Sequence, residues 1–252
     1  MLKKRFLSPK VVMITGAARR IGAEIACFLH EQGLNIILHY HTSQKEISEL
    51  CNKLNYLRAN SAVTLSADLS QNISFPLLIK KAIESWNRLD VLINNAAYFI
   101  PTPMGKVSER EWDSLLNINL KAPFFLSQAA APYLKKQQGC IINMGDIHGE
   151  RPMHHYPAYS ISKAGLLMLT KTLARELAPH IRVNTISPGP TIWPEGKNKL
   201  SAATKKEILR KNILNQQGDP ILIAKTAYFL INDASHMTGQ NIILDGGRSI
   251  LL

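Results

Sequence analysis

Val11-Val12-Met13-Ile14-Thr15-Gly16-Ala17-Ala18-Arg19-Arg20-Ile21-Gly22 decides how this chain is read. Four apolar residues in succession suit a strand buried on both faces. The chain then turns at Gly16, and an amphipathic run from Ile21 to Gln32 ends at Gly33, a natural helix C-cap. Gly16 and Gly22 allow a tight turn and a close approach of backbone to a pyrophosphate, which the N–H groups of the helix start would hold. Strand, glycine turn and helix in that order predict a dinucleotide site.

The alternation continues outward from this stretch. Further strands are expected at Asn35 to His39, Ala62 to Ser66, Val91 to Ile93, Cys140 to Met144, Arg182 to Ile186 and Asn241 to Leu244. Helices are expected from Gln44 to about Ala59, from near Pro76, from Ser108 to about Lys136, from about Ala158 to Ala178, and over Ile221–Leu230. The strand runs are almost wholly apolar, so the expected fold class is α/β. It is one doubly wound parallel sheet of seven strands, a Rossmann fold with helices on both faces. Ligands in such folds sit beyond the carboxyl ends of the strands.

The chain has 252 residues, 46% hydrophobic and 19% charged, which fits one domain over 1–252 and excludes a disordered or fibrous protein. No apolar run reaches the roughly 20 residues of a membrane helix. The start Met1 to Pro9 is basic but lacks a signal-peptide core, so a cytoplasmic location is expected. Cys27, Cys51 and Cys140 show neither metal-site nor disulfide spacing, so no metal is expected. The net charge of +12 is spread along the chain except at Lys3-Lys4-Arg5 and between Lys197 and Lys211. No nucleic-acid-binding signature accompanies it, and a solvated basic surface is the expectation, without nucleic-acid or membrane partners.

An enzyme preferring NAD usually carries an acid after the second strand, on the adenosine ribose. Here Leu38-His39-Tyr40-His41-Thr42-Ser43 follows, with no acid before Glu46. Arg19 and Arg20 suit a 2′-phosphate, with His41, Thr42 and Ser43 beside them, so NADPH is the expected cofactor. Farther on, Tyr159 and Lys163 stand four residues apart, on one face of a helix. A tyrosine of pKa about 10 is a poor proton donor at neutral pH unless a cation lowers it, and Lys163 would supply that cation.

Thr15-Gly16 with Gly22, Asp68-Leu69, Asn94-Asn95-Ala96-Ala97, Asn119, Tyr159 with Lys163, Ser187-Pro188-Gly189 and Leu244-Asp245-Gly246-Gly247 occur in the order of the short-chain dehydrogenase/reductase family. The resemblance spans about residues 10 to 248. Arg20 stands where that family usually has glycine, and Asp146, thirteen residues before Tyr159, where it usually has serine. Both departures resemble the pteridine reductases, as do Asn60-Ser61-Ala62, Ile141-Ile142-Asn143-Met144 and Tyr98-Phe99-Ile100-Pro101-Thr102-Pro103. The short segment from Pro103 to Glu111 is closer to the smaller bacterial dihydropterin reductases than to the parasite enzymes.

The resemblance implies roles. Lys163 holds the nicotinamide ribose and lowers the Tyr159 pKa. Tyr159 donates the proton beside Asp146, and Asn119 supports Lys163 through a water. Gly16, Ile21 and Gly22 form the phosphate turn, Asp68-Leu69 contacts adenine, Asn95 and Ala96 line the adenosine side, and Pro188-Gly189 borders the nicotinamide amide. Phe99 stacks on the pterin, Arg20 serves phosphate and pterin, and Tyr156 lines the pocket, although its spacing from Lys163 is also that of enoyl-thioester reductases. Trp193 begins a basic substrate lid running to about Arg210. The expected function is NADPH-dependent reduction of a dihydropterin or dihydrofolate C=N bond by a homotetramer. Reduction of a 3-oxoacyl thioester or another ketone is the alternative, and a non-catalytic NADP-sensing or nucleic-acid-binding protein a distant one.

Overall fold

The computed structural model of the chain describes residues 8–71, 74–193 and 199–251. Lys3-Lys4-Arg5, and Glu195 and Lys197 of the expected lid, lie outside the described residues. Seven parallel strands form one sheet: β1 (Val11–Ile14), β2 (Asn35–Tyr40), β3 (Ala62–Ser66), β4 (Val91–Asn94), β5 (Cys140–Met144), β6 (Arg182–Pro188) and β7 (Asn241–Leu244). Their order is β3-β2-β1-β4-β5-β6-β7. The order reverses between β1 and β4, and a crevice opens there at the strands' carboxyl ends.

Strand periodicity assigns the two layers of core. Val12 and Ile14 turn to one side, where they meet α1 (Arg20–Glu31), α2 (Gln44–Leu57) and α8 (Pro220–Asn232) through Ile25, Leu29, Ile47, Leu54, Ile223 and Leu230. Val11 and Met13 turn to the other. They join α3 (Phe75–Ile83), α5 (Ala122–Lys136) and α6 (Pro157–Glu176) through Leu78, Ile79, Leu126, Leu134, Leu166 and Leu173. Both faces of the central strands β1, β2, β4 and β5 are buried, which explains their lack of polar alternation; the edge strand β3 alternates, with Thr64 and Ser66 exposed. Gly33 closes α1 at φ +89°, a left-handed conformation natural to glycine.

A buried polar seam crosses this apolar interior. Asn94 on β4 donates to Asn143 Oδ1 on β5 at 2.8 Å, and Asn143 donates to Thr170 Oγ1 on α6 at 2.8 Å. Thr170 and Thr185 of β6 share a further bond of 2.6 Å. The seam ties three neighbouring strands to the helix that carries Tyr159 and Lys163.

The long helical stretch expected from Ser108 to Lys136 is divided. Ser108 caps α4 (Glu109–Leu116) in a capping box with Glu111; a π-helical segment (Asn117–Lys121) follows, and α5 continues from it. Such one-turn widenings sit often at functional sites. Here the widening contains the buried Asn119. Between Ile186 and Ile221, the chain forms α7 (Ala202–Arg210), which the pattern-based reading leaves inside the lid without a helix. A short helix α9 (Arg248–Leu251) follows Gly246 and Gly247. None of the described helices is long and apolar enough to cross a membrane.

Candidate active site

At the carboxyl ends of the strands lies a cavity of about 1010 Å³. Its wall on the β1 side is the phosphate turn. Gly16 has φ +63°, and a Cβ there would come within 2.9 Å of the Ala96 backbone. At Gly22 a Cβ would lie 2.4 Å from the Gly16 carbonyl and 2.6 Å from Asn95 Nδ2. Only glycine permits this closeness. Thr15 and Asn95 then lock the turn onto β4. Thr15 Oγ1 accepts from the Asn95 and Ala96 N–H groups, and Asn95 Nδ2 donates to the carbonyls of Thr15 and Gly16 at 2.8 and 3.0 Å. No side chain caps the start of α1, so its first N–H groups are not spent on a cap.

Beyond β2 the wall is made by His41, Thr42 and Ser43, facing Asp68 and Leu69 after β3. His41 Nε2 lies 3.5 Å from Asp68 Oδ2. The carboxylate also accepts from the Ser70 N–H and hydroxyl, and these bonds hold its pKa below the usual value against the effect of burial. Arg19, largely exposed, lies 3.9 Å from Glu46, the first acid after β2. Arg20 turns the other way. Although not glycine it has φ +58°, and its guanidinium donates to the carbonyls of Ile192 and Trp193, both at 3.0 Å. The predicted phosphate-and-substrate arginine thus joins the phosphate turn to the start of the expected lid. Lys205 of α7 lies over the Trp193 ring, 5.6 Å from its centre.

The centre of the cavity is polar and buried. Tyr159 Oη donates to Asp146 Oδ2 at 2.7 Å. Asp146 Oδ1 accepts from the His148 N–H and so caps the 3₁₀ turn Ile147–Gly149. Lys163 Nζ donates to the Met144 carbonyl at 2.7 Å, at the end of β5. Burial brings the Lys163 pKa down to about 8, with the Asp146 charge opposing the fall. The resemblance leads one to expect a lowered Tyr159 pKa. In this structure burial, then the charge and hydrogen bond of Asp146, hold the phenol well above its ordinary value. The phenol keeps its proton and donates it in the hydrogen bond to Asp146.

One other expectation changes. Tyr156 does not line the cavity: it lies behind Phe99, rings parallel within 8° and centres 4.6 Å apart. Phe99 does line it, with Tyr159 edge-on to its ring at 4.8 Å. Tyr159, in the register four before Lys163, therefore holds the position facing the cavity. Asn119 also stands back from the cavity wall. It accepts from the Tyr98 N–H, donates to the Tyr98 carbonyl and donates to Ser162 Oγ, so it fixes the loop that presents Phe99.

On the far side, Pro188 and Gly189 form the wall, and a Cβ at Gly189 would fall 2.7 Å from Asp245 Cβ. The reading from sequence missed His39, Met144, Ile208 and Arg248, which also line the cavity. His39 looks like an ordinary strand residue, and Arg248 is brought in only because the chain turns at Gly246 and Gly247. Nothing in local pattern marks either.

This constellation, phosphate turn, Tyr159/Lys163 and Asp146 on one parallel sheet, invites comparison. A family model described as enoyl-(acyl carrier protein) reductase matches residues 16–249. The chain belongs to the short-chain dehydrogenase/reductase family. It is similar to 3beta-hydroxysteroid dehydrogenase 1 of Eggerthella lenta, 31% identical over 97% of this chain and 95% of that one. It is also similar to a 3-oxoacyl-(acyl-carrier-protein) reductase of Staphylococcus epidermidis, 33% identical over 94% and 98%. Pteridine reductase 1 of Leishmania tarentolae is 34% identical over 95% and 96%. That last alignment runs over 281 positions, so the Leishmania protein has segments without counterpart here. This short-chain reductase is accordingly an oxidoreductase of the NAD(P)-dependent kind.

Proposed function

We propose that the enzyme reduces a C=N bond of a dihydropterin, of the dihydromonapterin, dihydrobiopterin or dihydrofolate type, with NADPH. The observation that carries this reading is the 2.7 Å contact between Tyr159 Oη and Asp146 Oδ2. Ketone reduction builds negative charge on an oxygen, which a neutral donor stabilises and an adjacent carboxylate opposes. Reduction of C=N instead consumes a proton at nitrogen, and a phenol–carboxylate pair holding one proton is a source of it. Phe99, backed by Tyr156, adds a flat apolar face suited to a flat heterocycle.

The turn of Gly16 and Gly22 leaves room for a dinucleotide where a Cβ would not fit. Bound there, NADPH supplies the reducing equivalent as hydride. Arg19, His41, Thr42 and Ser43 line the adenosine end, which favours a 2′-phosphate over a bare ribose. The exposed Arg19–Glu46 pair is worth under about 1 kcal/mol, so a phosphate displaces it readily. Tyr159 delivers its proton to the ring nitrogen, Asp146 holds that proton in place beforehand, and Lys163 orients the nicotinamide ribose.

The reading extends to a cytoplasmic homotetramer built as one domain. Free cysteines at 27, 51 and 140 suit a reducing compartment. Trp112, Phe124, Phe125, Ile161 and Met168 are exposed on α4, α5 and α6, and Leu222, Phe229 and Ile243 on α8 and β7, and these exposed apolar side chains support the oligomeric reading. The test is NADPH oxidation with a 7,8-dihydropterin beside an acetoacetyl thioester, repeated with Tyr159→Phe. Dihydropterin turnover that Tyr159→Phe abolishes supports the proposal. Turnover of the thioester alone would overturn it in favour of a carbonyl reductase.

A further inference from the structure

His39 is 1% exposed, in the middle of the cofactor end of the sheet, and the chemistry above makes no use of it. Its surroundings fix its protonation. The Gly16 N–H donates to Nδ1 at 3.2 Å, so Nδ1 carries a lone pair. A neutral ring then bears its proton on Nε2, which lies 3.1 Å from the Ala67 carbonyl and donates to it. Burial pushes the ring pKa down to about 4, in keeping with a neutral imidazole in both bonds. The backbone adds a third tie, since the Ala17 N–H donates to the His39 carbonyl at 2.9 Å.

These bonds reach two separate parts of the cofactor site. Gly16 and Ala17 begin the phosphate turn, and Ala67 immediately precedes Asp68 and Leu69 at the adenosine end. The imidazole is a rigid plane with acceptor and donor at opposite edges. It sets how far the turn stands from the end of β3, and ring and backbone of His39 together take up the first two N–H groups of the turn.

We propose that His39 is a positioning residue for the dinucleotide: its neutral ring is the spacer that holds the phosphate turn at the correct distance from the adenosine subsite. The proposal rests on the use of a nicotinamide dinucleotide and is indifferent to which substrate is reduced.

Two substitutions separate this role from plain packing. In His39→Asn the side-chain oxygen overlies Nδ1 and keeps the Gly16 bond, whereas His39→Gln reaches Ala67 but presents no acceptor at the Nδ1 position. Dissociation constants for NADPH and NADH would be measured by quenching of protein fluorescence, with melting temperatures alongside. His39→Gln is expected to bind NADPH about tenfold more weakly and His39→Asn within about threefold of the native protein, at similar melting temperatures. Affinities that simply follow the melting temperature, or that are equal in the two variants, would overturn the proposal. Failure of the native protein to bind either dinucleotide would instead refute the cofactor reading.

Discussion

Tyr159 and Asp146 are joined by one short hydrogen bond, and the same carboxylate caps the turn that follows β5 through the His148 N–H. The acid is thus anchored by backbone on one oxygen and committed to the phenol with the other. Replacing it by asparagine keeps the shape and removes the charge. In Asp146→Asn the phenol pKa is expected to fall but to stay above its ordinary value, since burial remains; phenolate absorption in an alkaline titration reads the change. Dihydropterin turnover should drop by about a hundredfold. Asp146→Ser should lose pterin activity and gain activity on acetoacetyl thioester; a serine variant that keeps the pterin rate would remove Asp146 from the chemistry.

Lys163 gives the pH dependence. With a pKa near 8, it is charged below that pH and neutral above it. The rate constant kcat/KM should therefore be level on the acid side of about 8 and fall by up to about tenfold per pH unit beyond it. A profile that stays flat to pH 10 would show that the lysine charge is not needed.

For stability, the sign at His39 is opposite to that of an ion-paired histidine. Its folded pKa of about 4 lies below the ordinary 6.5, so the unfolded chain binds more protons between these values. The stabilisation is complete above pH 6.5 and is lost as pH falls toward 4, by up to about 3 kcal/mol. The charge of His41 depresses the pKa further, while the Ala67 carbonyl opposes the shift. The denaturant midpoint of the native protein should fall on acidification over that window, while that of His39→Asn, which has no group titrating at this position, should not share the fall.

Asn119→Ala removes three bonds and strands the Tyr98 N–H and carbonyl, while the Ser162 hydroxyl keeps its bond to the Tyr159 carbonyl. The expected cost is about 2–4 kcal/mol, seen as a lower melting temperature. Because the loop it holds carries Phe99, KM for the pterin should rise as well. A variant with lowered stability but native KM would confine Asn119 to a structural part.

Gly22→Ala forces a methyl to within 2.4 Å of the Gly16 carbonyl. The turn must shift, and NADPH affinity should weaken by about tenfold or more, measured by cofactor fluorescence. Gly33→Ala separates backbone strain from crowding: a Cβ there meets nothing within 4 Å but φ is +89°, so it should lower the melting temperature and leave NADPH affinity unchanged.

Much of this architecture is legible in the sequence because the strands declare themselves. β1, β3, β5 and β7 fall on the expected residues, as largely apolar runs too short for helices. The cavity likewise draws on residues named from motif order, since strand-end loops must converge at the switch point. Tertiary effects are less visible. The division of the 108–136 helix depends on Asn119 finding Tyr98 and Ser162, partners far apart in sequence. Tyr156 and Tyr159 look equivalent until Phe99 covers one of them. The raised Tyr159 pKa depends on which neighbour the phenol meets, and spacing along a helix says nothing of Asp146 reaching it.

The polar seam of Asn94, Asn143 and Thr170 has a practical consequence for anyone redesigning this enzyme. Thr170 lies three helical turns along α6 from Tyr159, so the seam acts as a distant set-screw on the gap between helix and sheet. Side chains around the slot can be exchanged to admit other heterocycles while that gap stays constant. Tampering with the seam would instead detune every substrate at once.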